Sequence, residues 1–295
     1  MTAATPTSLN AATPELSPPA DWQTSDVPLN PLGPLLTMWR HRALIFRLGR
    51  RDIEALYRGT WLGLCWLVIQ PLLLLAVYTF VFTVIFKPKV ASATDGAATP
   101  ALTIFTGLIL FNIFAEALNR APRLLHSNRV YVSQVIFPIE ILPVVALGTA
   151  LFQGILSFML LLGAFLIFDG WPPLTLISIP LVVLPLLLLT LGFCWFLASL
   201  GVFVRDVAPF VGVTLRVLLF LCPIFYPLEA VPGLLRQVIM ANPVATAVCL
   251  SRGAIFAGVW PNPWHLGIYW CASILVCWAG YAWFMKTRKA FGDVL

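Results

Sequence analysis

Charged positions are so sparse along this chain that the intervals between them outline its architecture. Uncharged runs occupy 59–86, 96–115, 141–168, 170–204 and 253–285, and a further run, 207–228, is broken only by Arg216. A helix that crosses a bilayer needs about 20 apolar residues. The pattern therefore predicts spans at 60–86, 101–118, 139–168, 173–203, 207–227 and 263–285. The apolar stretch 237–251 is shorter and carries Asn242-Pro243 at its middle, where proline removes a backbone donor. With Pro232, Gly233 and Pro261 nearby, 229–262 is predicted to be a re-entrant or interfacial hairpin. The predicted fold class is an all-α polytopic membrane protein. It has six transmembrane helices, an amphipathic N-terminal interface helix and an outer hairpin between spans five and six.

Outside the spans the pattern changes. Residues 1–34 hold seven prolines and no apolar periodicity, the composition of a disordered tail. In 35–58, Arg40, Arg47, Arg51, Glu54 and Arg58 fall on one helical face, with Trp39, Phe46, Ile53 and Tyr57 about 100° round from it. This is the pattern of a helix lying in the headgroup plane, either as a plain anchor or as a docking surface for a cytoplasmic partner or for membrane lipids. The inner loop 119–138 predicts a short helix over 121–137, with Leu124, Leu125 and Val132 packed and Arg123, His126 and Arg129 wet. An ordinary connector of that length would be unusual.

Composition narrows the class. Sixty percent of the 295 residues are hydrophobic and 10% are charged, too few charges to cover a water-soluble surface. The net charge of +6 is explained by loops rather than by nucleic acid. With the N-terminus inside, thirteen Lys and Arg fall in inner segments and four in outer ones, the bias expected of a cytoplasmic face. Both termini are then cytoplasmic.

Candidate chemistry is scarce. The sequence has no phosphate-cradling GxxxxGK[ST] loop, no HExxH and no GxSxG. The six cysteines sit singly in apolar runs and the three histidines lie far apart, so no metal site is predicted. Arg216 is the one ionisable residue deep in a predicted span. It is read either as the lining of a path for an anionic substrate or as a structural partner of Asp206, Glu116 or backbone carbonyls. Within their charge-free runs, spans three, four and six contain no carboxylate for a proton relay, which favours transport driven by a separate motor.

The ordered segments Tyr57-Arg58-Gly59-Thr60 with WLGLCWLVIQPLLLLAVYTFVFTVIFK (61–87), GLILFNIFAEALNRAPRLLHSNRVYVSQVIFPIEILP (107–143), GVFVRDVAPF (201–210), LFLCPIFYPLEAVP (219–232), Asn242-Pro243 and FGDVL (291–295) resemble type-2 ABC exporter permeases. These permeases export lipid-linked polysaccharides such as O-antigen, capsule and teichoic acid. The resemblance spans about 35–295. It implies a homodimer in the bacterial inner membrane with two ATP-binding-cassette subunits beneath it. ATP and Mg would sit on those subunits, leaving this chain without a cofactor, and the cargo would be a polyprenyl-pyrophosphate-linked glycan. Arg47, Arg51, Arg58, Arg123, Asn128 and Arg129 would meet the ATPases. Arg58, Phe105, Phe111, Phe114, Arg216, Phe220, Phe225 and Tyr226 would line the substrate path, unless those rings only pack. Pro227, Pro232, Asn242 and Pro243 would belong to an outer gate. Arg216 and the long tail depart from the family pattern. The other readings are a drug or lipid exporter, a membrane enzyme acting on lipid-linked sugars and a structural subunit.

Overall fold

Proline starts most of the long elements, because the first helical turn has no use for the missing N–H. In a computed structural model that describes residues 38–57, 59, 61–81, 99–129, 137–228 and 231–291, the helices are α1 Arg42–Tyr57, α2 Trp66–Phe80, α3 Thr99–Arg120, α4 Leu124–Ser127, α5 Leu142–Phe168, α6 Ile179–Phe203, α7 Val207–Leu221, α8 Gly233–Met240, α9 Pro243–Ile255 and α10 Pro263–Thr287. Pro143, Pro180, Pro243 and Pro263 stand in the first turns of α5, α6, α9 and α10. Twice an asparagine precedes the proline and caps the helix. Asn242 Oδ1 accepts from the Val244 N–H at 3.0 Å, and Asn262 Oδ1 accepts from the Trp264 N–H at 2.9 Å. Asn242-Pro243 is therefore a helix start, and α8 meets α9 there at a 95° corner.

Four stretches are long and apolar enough to cross a membrane, namely Pro100–Ser127, Ile139–Phe168, Leu174–Phe203 and Pro263–Ala290. Helices α2 and α7 are apolar but only 15 residues each, about 22 Å at the helical rise. Large apolar side chains cover the exteriors of α5, α6 and α10, among them Ile155, Met159, Ile167, Leu184, Ile268 and Leu275. That exterior suits lipid and not water. No strand occurs among the described residues.

Helix α3 is the hub. It is apolar on all sides and almost wholly enclosed by α2, α5, α6, α7 and α9. The closest pairing is α6 with α10. A Cβ on Gly192 would overlap the Val276 carbonyl, and one on Gly280 would overlap the Gly192 carbonyl, so the two backbones touch. Small residues at a crossing are how helices pack without a hydrophobic driving force between them. Trp195, 1% exposed, locks the same region by donating from Nε1 to the Glu140 carbonyl at 3.0 Å and meeting the Tyr281 ring edge-on at 5.1 Å.

These contacts sort the molecule into two ends. At the basic end Arg288 pairs with Glu140 at 3.3 Å, Ser199 bonds Thr287 at 2.7 Å, and Phe203 packs on Phe291. At the opposite end Phe165 packs on Phe256, Thr175 donates to the Ala254 carbonyl, and Asn242 Nδ2 donates to Cys222 Sγ at 3.1 Å. Helix α7 runs from the first end to the second. The chain before α8 and the chain after α9 both lie at the second.

Candidate functional site

Two groups of residues carry the functional geometry, one at each end. At the basic end α1 lies against α5 through Leu48, buried with Ile141 and Val145, with Leu44 and Ile45 beside them. Trp39 and Phe46, two residues of the apolar stripe read from the sequence, point away from the bundle and are exposed, while Ile53 of the same stripe is half-buried. Asp52 fixes the helix. Its Oδ2 accepts from Arg120 and, at 3.1 Å, from Thr149 Oγ1, joining α1, α3 and α5. Arg120 also reaches Glu116 at 4.0 Å.

The inner segment begins as a 3-10 turn, Ala121–Arg123, and continues into α4. Leu124 and Leu125 are buried, while Arg123 and Arg129 are exposed. Asn128 closes α4 by donating from Nδ2 to the Leu124 carbonyl at 2.9 Å. Gly201 of α6 touches the Pro122 backbone so closely that a Cβ there would overlap it. Arg51 and Asn128 line one small crevice with Asp52 and Arg120, so the structure brings α1 and the 121–129 segment side by side. Arg47 is exposed on α1. Arg58, residues 130–136, the tail 1–34 and the ends of the first predicted span lie outside the described residues.

At the opposite end the predicted path residues divide. Phe105, Phe111 and Phe114 are 3–4% exposed, buried in the core around α3, where Phe114 meets Phe193 edge-on. The cause is the all-round apolarity of α3, legible in LTIFTGLILFNIFAEAL. Phe220, Phe225 and Tyr226 come together instead, with Phe220 and Phe225 rings 6.2 Å apart and Tyr226 Oη donating to the Phe220 carbonyl at 3.0 Å. Tyr78 of α2 joins them, 6.5 Å from Phe225, a residue the sequence reading did not single out. Helix α7 buries Val207, Val211 and Leu215 and turns Phe210, Val213, Arg216, Val217 and Phe220 outward. Arg216 has no ion pair or side-chain hydrogen bond among the described residues, so the pairing with Asp206 or Glu116 is not made within this chain.

The cation enclosed at this end is Arg252, which is half-buried. The sequence count placed it among the loop charges. Its setting in TAVCLSRGAIFAG was the available signal, since an arginine amid small apolar residues must find partners. It donates from Nε to the Thr103 carbonyl at 3.1 Å, from Nη2 to the Ile224 carbonyl at 2.6 Å and from Nη1 to the Pro223 carbonyl. Of the predicted gate residues, Pro227 and Pro232 are exposed and Asn242 and Pro243 form the α8–α9 corner. Among the described residues no group of three His, Cys, Asp or Glu side chains converges to hold a metal.

Residues 43–256, from the second residue of α1 to the end of α9, match the family model described as ABC-2 type transporter. The chain belongs to that family. It is similar to the O-antigen export system permease protein RfbA of Myxococcus xanthus, 26% identical over 258 residues, covering 87% of this chain and 96% of that protein. Two proteins of the same name from Klebsiella pneumoniae are 23% and 24% identical over 256 residues, each covering 85% of this chain and 95% of their own length. The opposite end falls within the ABC-2 match, as do α1 and the 121–129 segment of the basic end, while α10 lies beyond it.

Proposed function

We propose that this chain is the permease subunit of an ATP-driven exporter that moves lipid-linked polysaccharide, of the O-antigen kind, across the bacterial inner membrane. The observation that carries the reading is its alignment with O-antigen export permeases along nearly their whole length, within a family of ABC-2 transporters. The chain forms a homodimer and two ATP-binding-cassette subunits dock on its basic end. That end is cytoplasmic, and both termini lie there. The six spans count α2 and α7 as the two short ones. The α8–α9 hairpin enters and leaves on the outer side.

In this reading ATP and Mg belong to the partner, and motor movement arrives at α1 and the 121–129 segment through Arg47, Arg51, Arg58, Arg123, Asn128 and Arg129. Asp52 and Arg120 pass it to α3 and α5, because the ion pair makes α1 part of the bundle. The open face of α7 lines the path. Arg216 offers a fixed cation to a pyrophosphate or an acidic sugar, and Phe220, Phe225 and Tyr226 offer ring faces on which sugar rings stack. Phe105, Phe111 and Phe114 keep α3 seated. A drug or lipid exporter would share the family but not the O-antigen alignment.

The test is removal of the chain from its native cell. Full-length lipid-linked glycan is expected to accumulate where an impermeant probe applied outside cannot reach it, and Arg216→Gln is expected to slow its appearance outside while protein levels hold. Unchanged surface polysaccharide after removal would overturn the reading.

A further inference from the structure

The turn Cys222–Ile224, which follows α7, poses a hydrogen-bonding problem. Cys222 and Ile224 are 0% and 1% exposed, and Pro223 has no N–H. Its one internal bond runs from the Ile224 N–H to the Cys222 carbonyl at 2.7 Å, leaving the next two carbonyls to find donors elsewhere. Buried carbonyls without donors are costly. Arg252 supplies them. Its planar fork reaches two adjacent carbonyls of the turn with its two terminal nitrogens and the Thr103 carbonyl of α3 with Nε. No carboxylate pairs with it among the described residues, and the hydrogen bonds of its guanidinium all go to peptide carbonyls.

The fork also has a fitted seat. Gly107, one helical turn along α3 from Thr103, leaves the space that the guanidinium fills. A Cβ there would stand 3.1 Å from Nη2, 3.2 Å from Ile224 Cγ1 and 3.3 Å from Val248 Cγ1. Three elements therefore meet at one side chain, namely the start of α3, the end of α7 and the second arm of the hairpin.

We infer that Arg252 is the positioning residue of the outer gate, a latch whose three carbonyl bonds hold the 222–224 turn and α9 closed against α3. The inference rests on the reading of the α8–α9 hairpin as a gate. Hinging α9 away from α3 breaks these charge-assisted bonds together, and each is worth about tenfold or more in an equilibrium. A lysine, with one compact ammonium on a flexible stem, serves the three carbonyls only in part.

Cys222 is the built-in reporter, fully buried in the turn that the latch holds, and Cys194, fully buried in α6, is the control. The experiment treats the complete permease–ATPase complex in proteoliposomes with a maleimide and reads each thiol by peptide mass. Arg252→Met is expected to raise Cys222 labelling relative to Cys194 by roughly tenfold, with Arg252→Lys between it and the parent. Gly107→Ala, which crowds the guanidinium while adding a good helix former, is expected to raise the same ratio. It decides the matter if Arg252→Met does not fold. A Cys222-to-Cys194 ratio that stays at the parent value in the folded variants overturns the latch, even if thermal stability falls. In the unsubstituted complex, Cys222 labelling is expected to rise during ATP hydrolysis. If it stays flat while Arg252→Met still exposes Cys222, the gate reading of the hairpin fails and the carbonyl clamp stands.

Discussion

Asp52 is one carboxylate on which three helices depend, and removing it leaves Arg120 part-buried with only a distant Glu116 for company. Hydrogen bonds to a charged group are worth about 1.5–3 kcal/mol each before solvent screening. The pair is about one-third accessible, so Asp52→Ala is expected to cost roughly 1–3 kcal/mol. The measurement is thermal unfolding in detergent. A melting temperature equal to the parent's would show that α1 is held by Leu48 and its apolar neighbours alone. Residue-scale chemistry was the least legible part of the sequence. Asp52 and Arg120 stand 68 positions apart, and nothing in either local pattern announces the other. Arg216 drew notice because it interrupts an apolar run, yet the fold exposes it. Arg252 drew none because the hairpin predicted over 229–262 put it among the outer charges.

Elements were far more legible, because an apolar run long enough to cross a bilayer has few alternatives. The four long membrane helices fall where the charge-free runs place them. The Asn-Pro pair breaks the apolar stretch 237–251 as its local rule predicts, and the structure adds a 95° corner there. Proline ends the segment before it and opens the one after it, and Asn242 caps the second. The burial of Phe105, Phe111 and Phe114 follows from the all-round apolarity of α3, which the substrate-path assignment set aside. At the α6–α10 crossing, Gly280→Val puts a branched side chain against the Gly192 carbonyl. The expected loss is about 1–3 kcal/mol or more, read as a lower melting temperature and less folded protein after solubilisation. Gly148, whose added Cβ meets nothing within 4 Å, is the control, and Gly148→Ala is expected to be neutral or slightly stabilising. Equal effects at Gly280 and Gly148 would contradict backbone-to-backbone packing at the crossing.

At the scale of the whole molecule, the two ends differ in chemistry as a transport subunit requires. The basic end gathers α1, the 121–129 segment and the end of α10 through ion pairs and apolar packing. The opposite end gathers a corner, an aromatic cluster and the half-buried Arg252. Between them lies a bundle with an apolar exterior. The central claim is that this bundle moves its cargo only when a separate ATPase works on the basic end. The direct measurement is translocation of a polyprenyl-pyrophosphate-linked glycan in proteoliposomes that contain the chain with its ATPase, the chain alone or the ATPase alone. The account predicts ATP-dependent translocation with both proteins and none with either one. Glycan movement or ATP hydrolysis by the purified chain alone would contradict it.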